Sequence, residues 1–198
     1  MRKIGLLGGT FNPVHLGHLQ LAKQVQEQLG LEEILWIPAA TPPFKRNGVT
    51  DYEVRRGWLE KAIASEPTWH ISDIEKEREG VSYTFDTVCE LQEDNPDAEY
   101  YFITGADSLE KLDHWYRWDE LLERVFFVVT NRPGHELVIS PLVAEVNDEV
   151  EKGLIVLEIS ALNISSTEIR HRLEMGEPVE ELLPNCIVEE VKSAWNAS

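Results

Sequence analysis

KIGLLGGTFNPVHLGHLQLAKQVQEQLGLEEILWIP, residues 3–38, is the stretch on which the fold turns. KIGLLG at 3–8 reads as a buried strand that runs into a Gly8-Gly9 turn. Beyond it Leu19, Ala22, Val25 and Leu29 fall at the spacing of an amphipathic helix, and Gly30 supplies the stop. ILWIP at 34–38 follows as a second buried strand. Strand, helix and strand packed this closely are the crossover unit of a parallel sheet, and such crossovers are almost always right-handed.

The same alternation continues along the chain. Strand candidates are WHIS at 69–72, EYYFIT at 99–104, VFFVVT at 125–130 and LIVLEI at 154–159. Helical patterns lie near 51–65, 83–94, 116–123 and 165–175 between and after them. The expectation is a Rossmann-like, doubly wound parallel sheet with helices on both faces. It forms a single domain over 1–198 whose C-terminal helical part, from about residue 165, is a pair split by Pro178 and Pro184. Ligands of such sheets bind beyond the carboxyl ends of the strands at a topological switch point, so the loops after strands one, two and four are where function is to be sought.

Composition narrows the function. The chain has 198 residues, 42% of them hydrophobic, which is enough for a core. A net charge of −18 repels phosphate backbones and anionic lipid, so binding to nucleic acid or to a membrane surface is not expected. The charge is uneven, because the first 26 residues contain no Asp or Glu yet hold Arg2, Lys3, His15, His18 and Lys23. That marks a locally electropositive region on an acidic protein. Cys89 and Cys186 do not make a disulfide scaffold, and free thiols suit a reducing cytoplasm. The longest strictly apolar stretch, 125–129, cannot cross a bilayer, and the run after Arg2 and Lys3 ends in glycines with no cleavage-site pattern. The expected address is the cytoplasm.

Two segments carry anion-binding chemistry. In GGTFNPVHLGH, residues 8–18, Gly8 and Gly9 let backbone N–H groups approach a ligand, and the helix that follows adds partial positive charge. His15 and His18, three apart, share one face of its first turn. The plain alternative is a tight turn with surface histidines, or a metal site, which would need a third ligand that no motif supplies. In ISSTEIR, residues 164–170, Ser165 and Glu168 fit a capping box, Ser166 and Thr167 add hydroxyls, and Arg170 lies one turn on. Alone this is a well-capped helix. Two such helix starts in one small α/β domain fit a polyphosphate spanning both.

GGTFNPVHLGH and ISSTEIR resemble the two signature motifs of the HxGH nucleotidyltransferase superfamily. PPFKR (42–46), GVSYTFDT (80–87), GADS (105–108), WYRWDELL (115–122) and NRPG (131–134) follow in the order and spacing of the bacterial nicotinate-mononucleotide adenylyltransferase family. The resemblance implies that Gly8, Gly9, Thr10 and Phe11 line the phosphates and adenosine of ATP. It implies that His15 and His18 contact the α-phosphate and bridging region, and that Ser165, Ser166, Thr167 and Arg170 hold the β- and γ-phosphates. Gly105 and Asp107 would meet the adenosine ribose, although Asp107 on its own reads as a helix N-cap. Lys45 would bind the mononucleotide phosphate, while Tyr83, Thr84, Trp115 and Tyr116 would hold the pyridine ring and its carboxylate.

The implied reaction moves the adenylyl group of ATP to nicotinate mononucleotide, with His15, His18 and Arg170 as the catalytic groups and Mg2+ riding on the triphosphate. No protein metal site is expected, and a homo-oligomer is left open. Nicotinamide mononucleotide or phosphopantetheine is the alternative acceptor. A non-catalytic nucleotide sensor and a metal protein built on the His pair are the rivals from other classes. The chain departs from the family where Asn12 replaces an Asp, Phe44 a His and Ala39 an Asn.

Overall fold

A computed structural model describes residues 1–41, 48–78, 80–131, 137–160 and 162–196. All six apolar runs become strands: β1 (Arg2–Gly9), β2 (Glu33–Pro38), β3 (Trp69–Ile71), β4 (Ala98–Gly105), β5 (Phe126–Asn131) and β6 (Leu154–Glu158). They form one parallel sheet in the order β3-β2-β1-β4-β5-β6, the order of a Rossmann fold. The helices are α1 (Leu16–Leu29), α2 (Tyr52–Ile63), α3 (Ile74–Glu77), α4 (Thr84–Asp94), α5 (Ala106–Leu109), α6 (Trp118–Arg124), α7 (Pro141–Glu149), α8 (Ser166–Met175) and α9 (Val188–Asn196). The chain leaves β1 towards one edge of the sheet and returns through β4 towards the other. The loops after these two strands therefore diverge, and a crevice opens between them.

Alternation along the strands feeds two cores. Leu7, Trp36, Ile103 and Val128 face α1, α2, α8 and α9, meeting Val25, Trp58, Ile169 and Val191. Leu6, Phe102, Phe127 and Val129 face the opposite way, onto Val88 of α4, Leu121 of α6 and Val143 of α7. Burial on both faces is why these strands read as nearly continuous apolar runs. A fully buried Trp or Leu contributes about 2–3 kcal/mol through the area it removes from water, so the two layers hold the sheet from both sides.

The structure adjusts the expected elements, adding the short helices α3 and α5 and differing in two further places. The pattern at 116–123 starts as a helix only at Trp118, because Arg117 has a left-handed φ of 52°. Helix α7 was not expected: it starts on Pro141 and buries a single residue, Val143, so its apolar stripe is faint. The expected closing pair is present as α8 and α9, with Pro178 and Pro184 in the connection between them. That connection reaches back to the site, since the Leu182 carbonyl accepts a hydrogen bond from the Leu16 N–H at the start of α1 at 3.0 Å. No helix among the described residues is long and apolar enough to cross a membrane.

Candidate active site

His15 is the N-cap of α1 and His18 stands three residues on, with the two rings stacked 3.6 Å apart. The His15 backbone N–H donates to His18 Nδ1 at 3.2 Å. Because that bond uses the Nδ1 lone pair, a neutral His18 carries its proton on Nε2, which is left as a donor. Burial pushes His15 down to about 4, and burial together with the adjacent His15 holds His18 well below the usual histidine range. Both rings are thus neutral donors at pH 7. His15 Nδ1 is buried and has no hydrogen-bond partner. No acidic residue occupies the first turn of α1, so its dipole is uncompensated by the chain's own carboxylates. A Cβ on Gly17 would sit 3.0 Å from His15 Nδ1, so a larger residue there would press on the ring and shift it by a few tenths of an ångström.

Helix α8 is tied onto the same loop. Ser166 Oγ donates to the Pro13 carbonyl at 3.0 Å, and Arg170 donates to the Asn12 carbonyl at 2.9 Å and to Thr167 Oγ1 at 3.2 Å. Ser165 caps the helix by accepting from the Glu168 N–H at 3.1 Å. Only half of the expected capping box forms, because the Glu168 carboxylate pairs with Arg172 at 2.6 Å. Two segments some 150 residues apart thus border one cavity of about 740 Å3, which His15, His18, Gly105, Asp107, Ser165, Ser166 and Thr167 all line. The structure corrects one expectation. Gly105 is the N-cap of α5 and Asp107 lies within its first turn, because β4 runs straight into the helix and its last residue takes the capping position.

A second cavity, of about 270 Å3, opens on the other side of the first loop. Gly8, Gly9 and Thr10 line it, as do Tyr83, Thr84, Trp115 and Tyr116. The rings of Tyr83 and Tyr116 lie 4.7 Å apart, and Trp115 is held edge-on to Phe102 at 5.9 Å and to Phe127 at 6.0 Å. Helix α4 begins at Thr84, and Tyr83, Thr84, Thr87 and Val88 of its start line this space. Phe11 lines neither cavity; it is buried with its ring edge-on to His18 at 5.2 Å. Lys45 and Phe44 lie outside the described residues.

Two side chains escaped the reading of the sequence. Arg55 is fully buried and donates to the carbonyls of Thr10 at 2.6 Å, Ala39 at 3.0 Å and Thr50 at 2.8 Å. It pins the loops after β1 and β2 together, and two of the residues it holds, Thr10 and Ala39, line the smaller cavity. Its signal was its position, three and four residues before the buried Trp58 and Leu59. Glu75 of α3 lines the smaller cavity, with Oε1 accepting from Thr87 Oγ1 at 3.1 Å and Oε2 buried without a partner. Among the described residues no three His, Cys, Asp or Glu side chains gather as a metal cage. Asn12, which replaces the family's Asp, has a structural role: its amide donates to the Gly48 carbonyl at 3.2 Å and accepts from the Thr50 N–H at 3.3 Å.

A Rossmann order, two helix starts facing one cavity and an aromatic recess beside them define a nucleotide-handling α/β enzyme. A family model described as cytidylyltransferase-like matches residues 6–172, and the chain belongs to that family. Its relatives include proteins named "Probable nicotinate-nucleotide adenylyltransferase". The one from Oceanobacillus iheyensis is 41% identical over 192 residues, covering 97% of this chain and 95% of its own. The one from Geobacillus thermodenitrificans is 44% identical over 185 residues, covering 93% and 81%. Among solved structures, Plasmodium falciparum nicotinic acid mononucleotide adenylyltransferase complexed with NaAD superposes with a TM-score of 0.80 over the whole of both chains at 17% identity. That likeness bears out the fold, and the relatives bear out the resemblance read from the motifs. Nucleotidyltransferases of this kind take ATP with a divalent metal.

Proposed function

We propose that this nucleotidyltransferase moves the adenylyl group of ATP onto nicotinate mononucleotide, forming nicotinate adenine dinucleotide and pyrophosphate in NAD biosynthesis. One observation carries the reading: the start of α8 is hydrogen-bonded to the loop that leads into α1, the two helix starts border one cavity, and the aromatic recess is lined by the beginning of that same loop. In this reading ATP occupies the larger cavity. Ser165, Ser166 and Thr167 receive its β- and γ-phosphates, Gly105 and Asp107 its ribose, and the Gly8–Phe11 loop separates the two substrates. The mononucleotide ring enters between Tyr83, Thr84, Trp115 and Tyr116, and Lys45 takes the acceptor phosphate.

The acceptor oxygen belongs to a phosphate whose second pKa is about 6, so it is ionised at pH 7 and needs no general base. It attacks the α-phosphorus, a new P–O bond forms, and the bond from the α-phosphorus to the bridging oxygen breaks to release pyrophosphate. The chain has to align the two groups and stabilise charge as it builds on the α-phosphate and the leaving group. Neutral rings suit that stabilising role, since His18, with its proton directed to Nε2, donates without needing a protonation step, and His15 backs it. Arg170 contributes by holding the start of α8 against Asn12. Mg2+ riding on the triphosphate would neutralise part of its charge, with phosphate oxygens and water as its ligands.

ATP labelled at the α-phosphate, mixed with the enzyme and nicotinate mononucleotide, should yield labelled dinucleotide and one pyrophosphate per dinucleotide. Release of orthophosphate, or label transfer to phosphopantetheine and to neither pyridine mononucleotide, would reject the assignment.

A further inference from the structure

Trp115 and Tyr116, which line the smaller cavity, stand in the turn between a short 3-10 helix at Leu112–His114 and α6. The residue that closes this turn, Arg117, has φ 52° and ψ 44°, a left-handed backbone that a residue with a Cβ adopts at a cost. Side-chain contacts have to offset that cost. Arg117 Nε donates to Glu120 Oε1 at 2.6 Å, a second guanidinium nitrogen pairs with Glu120 Oε2, and the guanidinium carbon lies 3.9 Å from the centroid of the Phe85 ring. A cation placed there is attracted by the negative face of the ring.

Phe85 belongs to α4, whose start lines the same cavity. It is buried, it follows Tyr83 and Thr84 directly in the chain, and its ring meets that of Tyr116 edge-on at 6.2 Å. Tyr116 in turn lies 4.7 Å from Tyr83. Tyr116 is 49% exposed and Tyr83 37%, so packing does not fix either phenol from all sides. Their placement needs an anchor, and an arginine seated on Phe85 ties the turn that carries Tyr116 to the helix start that carries Tyr83.

We propose that Arg117 is a positioning residue for the acceptor site: held over Phe85 in a left-handed backbone, it keeps Tyr116 against Tyr83, so that the two rings border the space the mononucleotide ring enters. The proposal rests on the adenylyl-transfer reading and adds a determinant of acceptor binding to it. Returning Arg117 to an ordinary negative φ would rotate the peptide that carries Tyr116 and part the two tyrosines. Arg124 approaches the same ring less closely, at 5.3 Å, and stands at the far end of α6, so it does not hold the turn. Neither Arg117, Phe85 nor the two tyrosines line the larger cavity, so ATP should not sense the change.

The test compares Arg117→Gly and Arg117→Lys with the wild type in the full-length enzyme, by steady-state kinetics for both substrates and by thermal melts. Glycine adopts the left-handed backbone freely, so Arg117→Gly removes the anchor without adding strain, and the melt should show the fold retained. Its KM for nicotinate mononucleotide should rise about fivefold, equivalent to about 1 kcal/mol, while kcat and KM for ATP stay within about twofold. Arg117→Lys keeps a cation for the ring and should recover at least half of that rise. A KM for the mononucleotide that is unchanged in Arg117→Gly, an equal rise in KM for ATP, or no recovery in Arg117→Lys overturns the role of Arg117 while adenylyl transfer stands. If the wild-type enzyme releases no pyrophosphate from ATP and nicotinate mononucleotide, the adenylyl-transfer reading fails and this one with it.

Discussion

The two cavities on either side of the first loop are built by different means. The larger one joins the ring nitrogens and hydroxyls at the starts of α1 and α8 to residues 105–110 and the ends of β5 and β6. The smaller one is made of residues from six separate places: the end of β1, the end of β2, α3, residues 82–88 at the start of α4, Phe102 of β4 and residues 115–116. One presents fixed donors to an anion of any identity. The other presents shape and aromatic faces to a particular ring. Phosphate chemistry is shared by every nucleotidyltransferase, so its cavity can be written in short motifs. The acceptor differs from enzyme to enzyme, and its cavity is spread over loops that can change separately.

Substitutions can separate the two halves. Arg55→Met should have the largest effect and should not discriminate between them, because three buried carbonyls lose their donor at once. At about 1 kcal/mol or more for each, the variant should lose about 3 kcal/mol in urea denaturation, with both substrates bound more weakly in the fraction that folds. His18→Ala should act on the larger cavity alone, lowering kcat by about a hundredfold with a much smaller change in KM for ATP, since its contact strengthens as charge develops. Steady-state kinetics within a few-fold of wild type would remove His18 from the catalytic step.

Trp115→Ala should act on the smaller cavity alone. Its edge-on seat against Phe102 and Phe127 presents the indole to the cavity, and its removal should raise KM for the mononucleotide about tenfold while KM for ATP holds. A rise in KM for ATP instead would mean that the substrates are assigned to the wrong cavities. Gly17→Ala should be the mildest of the four. The new methyl would press on the His15 ring from 3.0 Å, and a loss of about threefold in kcat is expected, with the fold retained in thermal melts.

The same contrast explains what could be read in the sequence. The sheet was legible because its central strands β1, β2, β4 and β5 are buried on both faces and stand out as apolar runs, and the edge strands β3 and β6 keep enough apolar residues to follow them. The larger cavity was legible in part because His15 and His18 lie close together in the chain, as do Ser165, Ser166 and Thr167, so the local chemistry of each segment suggests an anion, whereas Gly8 and Gly9 of the first motif line the smaller cavity. The tether that joins its halves was not, since nothing in Ser166 or Arg170 points to the carbonyls of Pro13 and Asn12. Asp107 shows the limit of local rules: a short acidic residue before a helix reads as a cap, but β4 passes into α5 without a loop and gives that position to Gly105. Arg55 and Glu75 were hidden by their surroundings. YEVRRGWLEK and DIEKEREG read as solvated, charged faces, and only the tertiary fold turns one charge of each inward.

That the two cavities are halves of one reaction site can be tested most directly by determining the crystal structure of the enzyme with nicotinate adenine dinucleotide bound. The account predicts one molecule lying across the first loop. Its pyridine ring should sit against Trp115 and Tyr116 in the smaller cavity, and its adenosine against Gly105 and Asp107 in the larger, with the bridging phosphates beside His15 and His18. A dinucleotide confined to one cavity, or bound with its two ends exchanged, would contradict it.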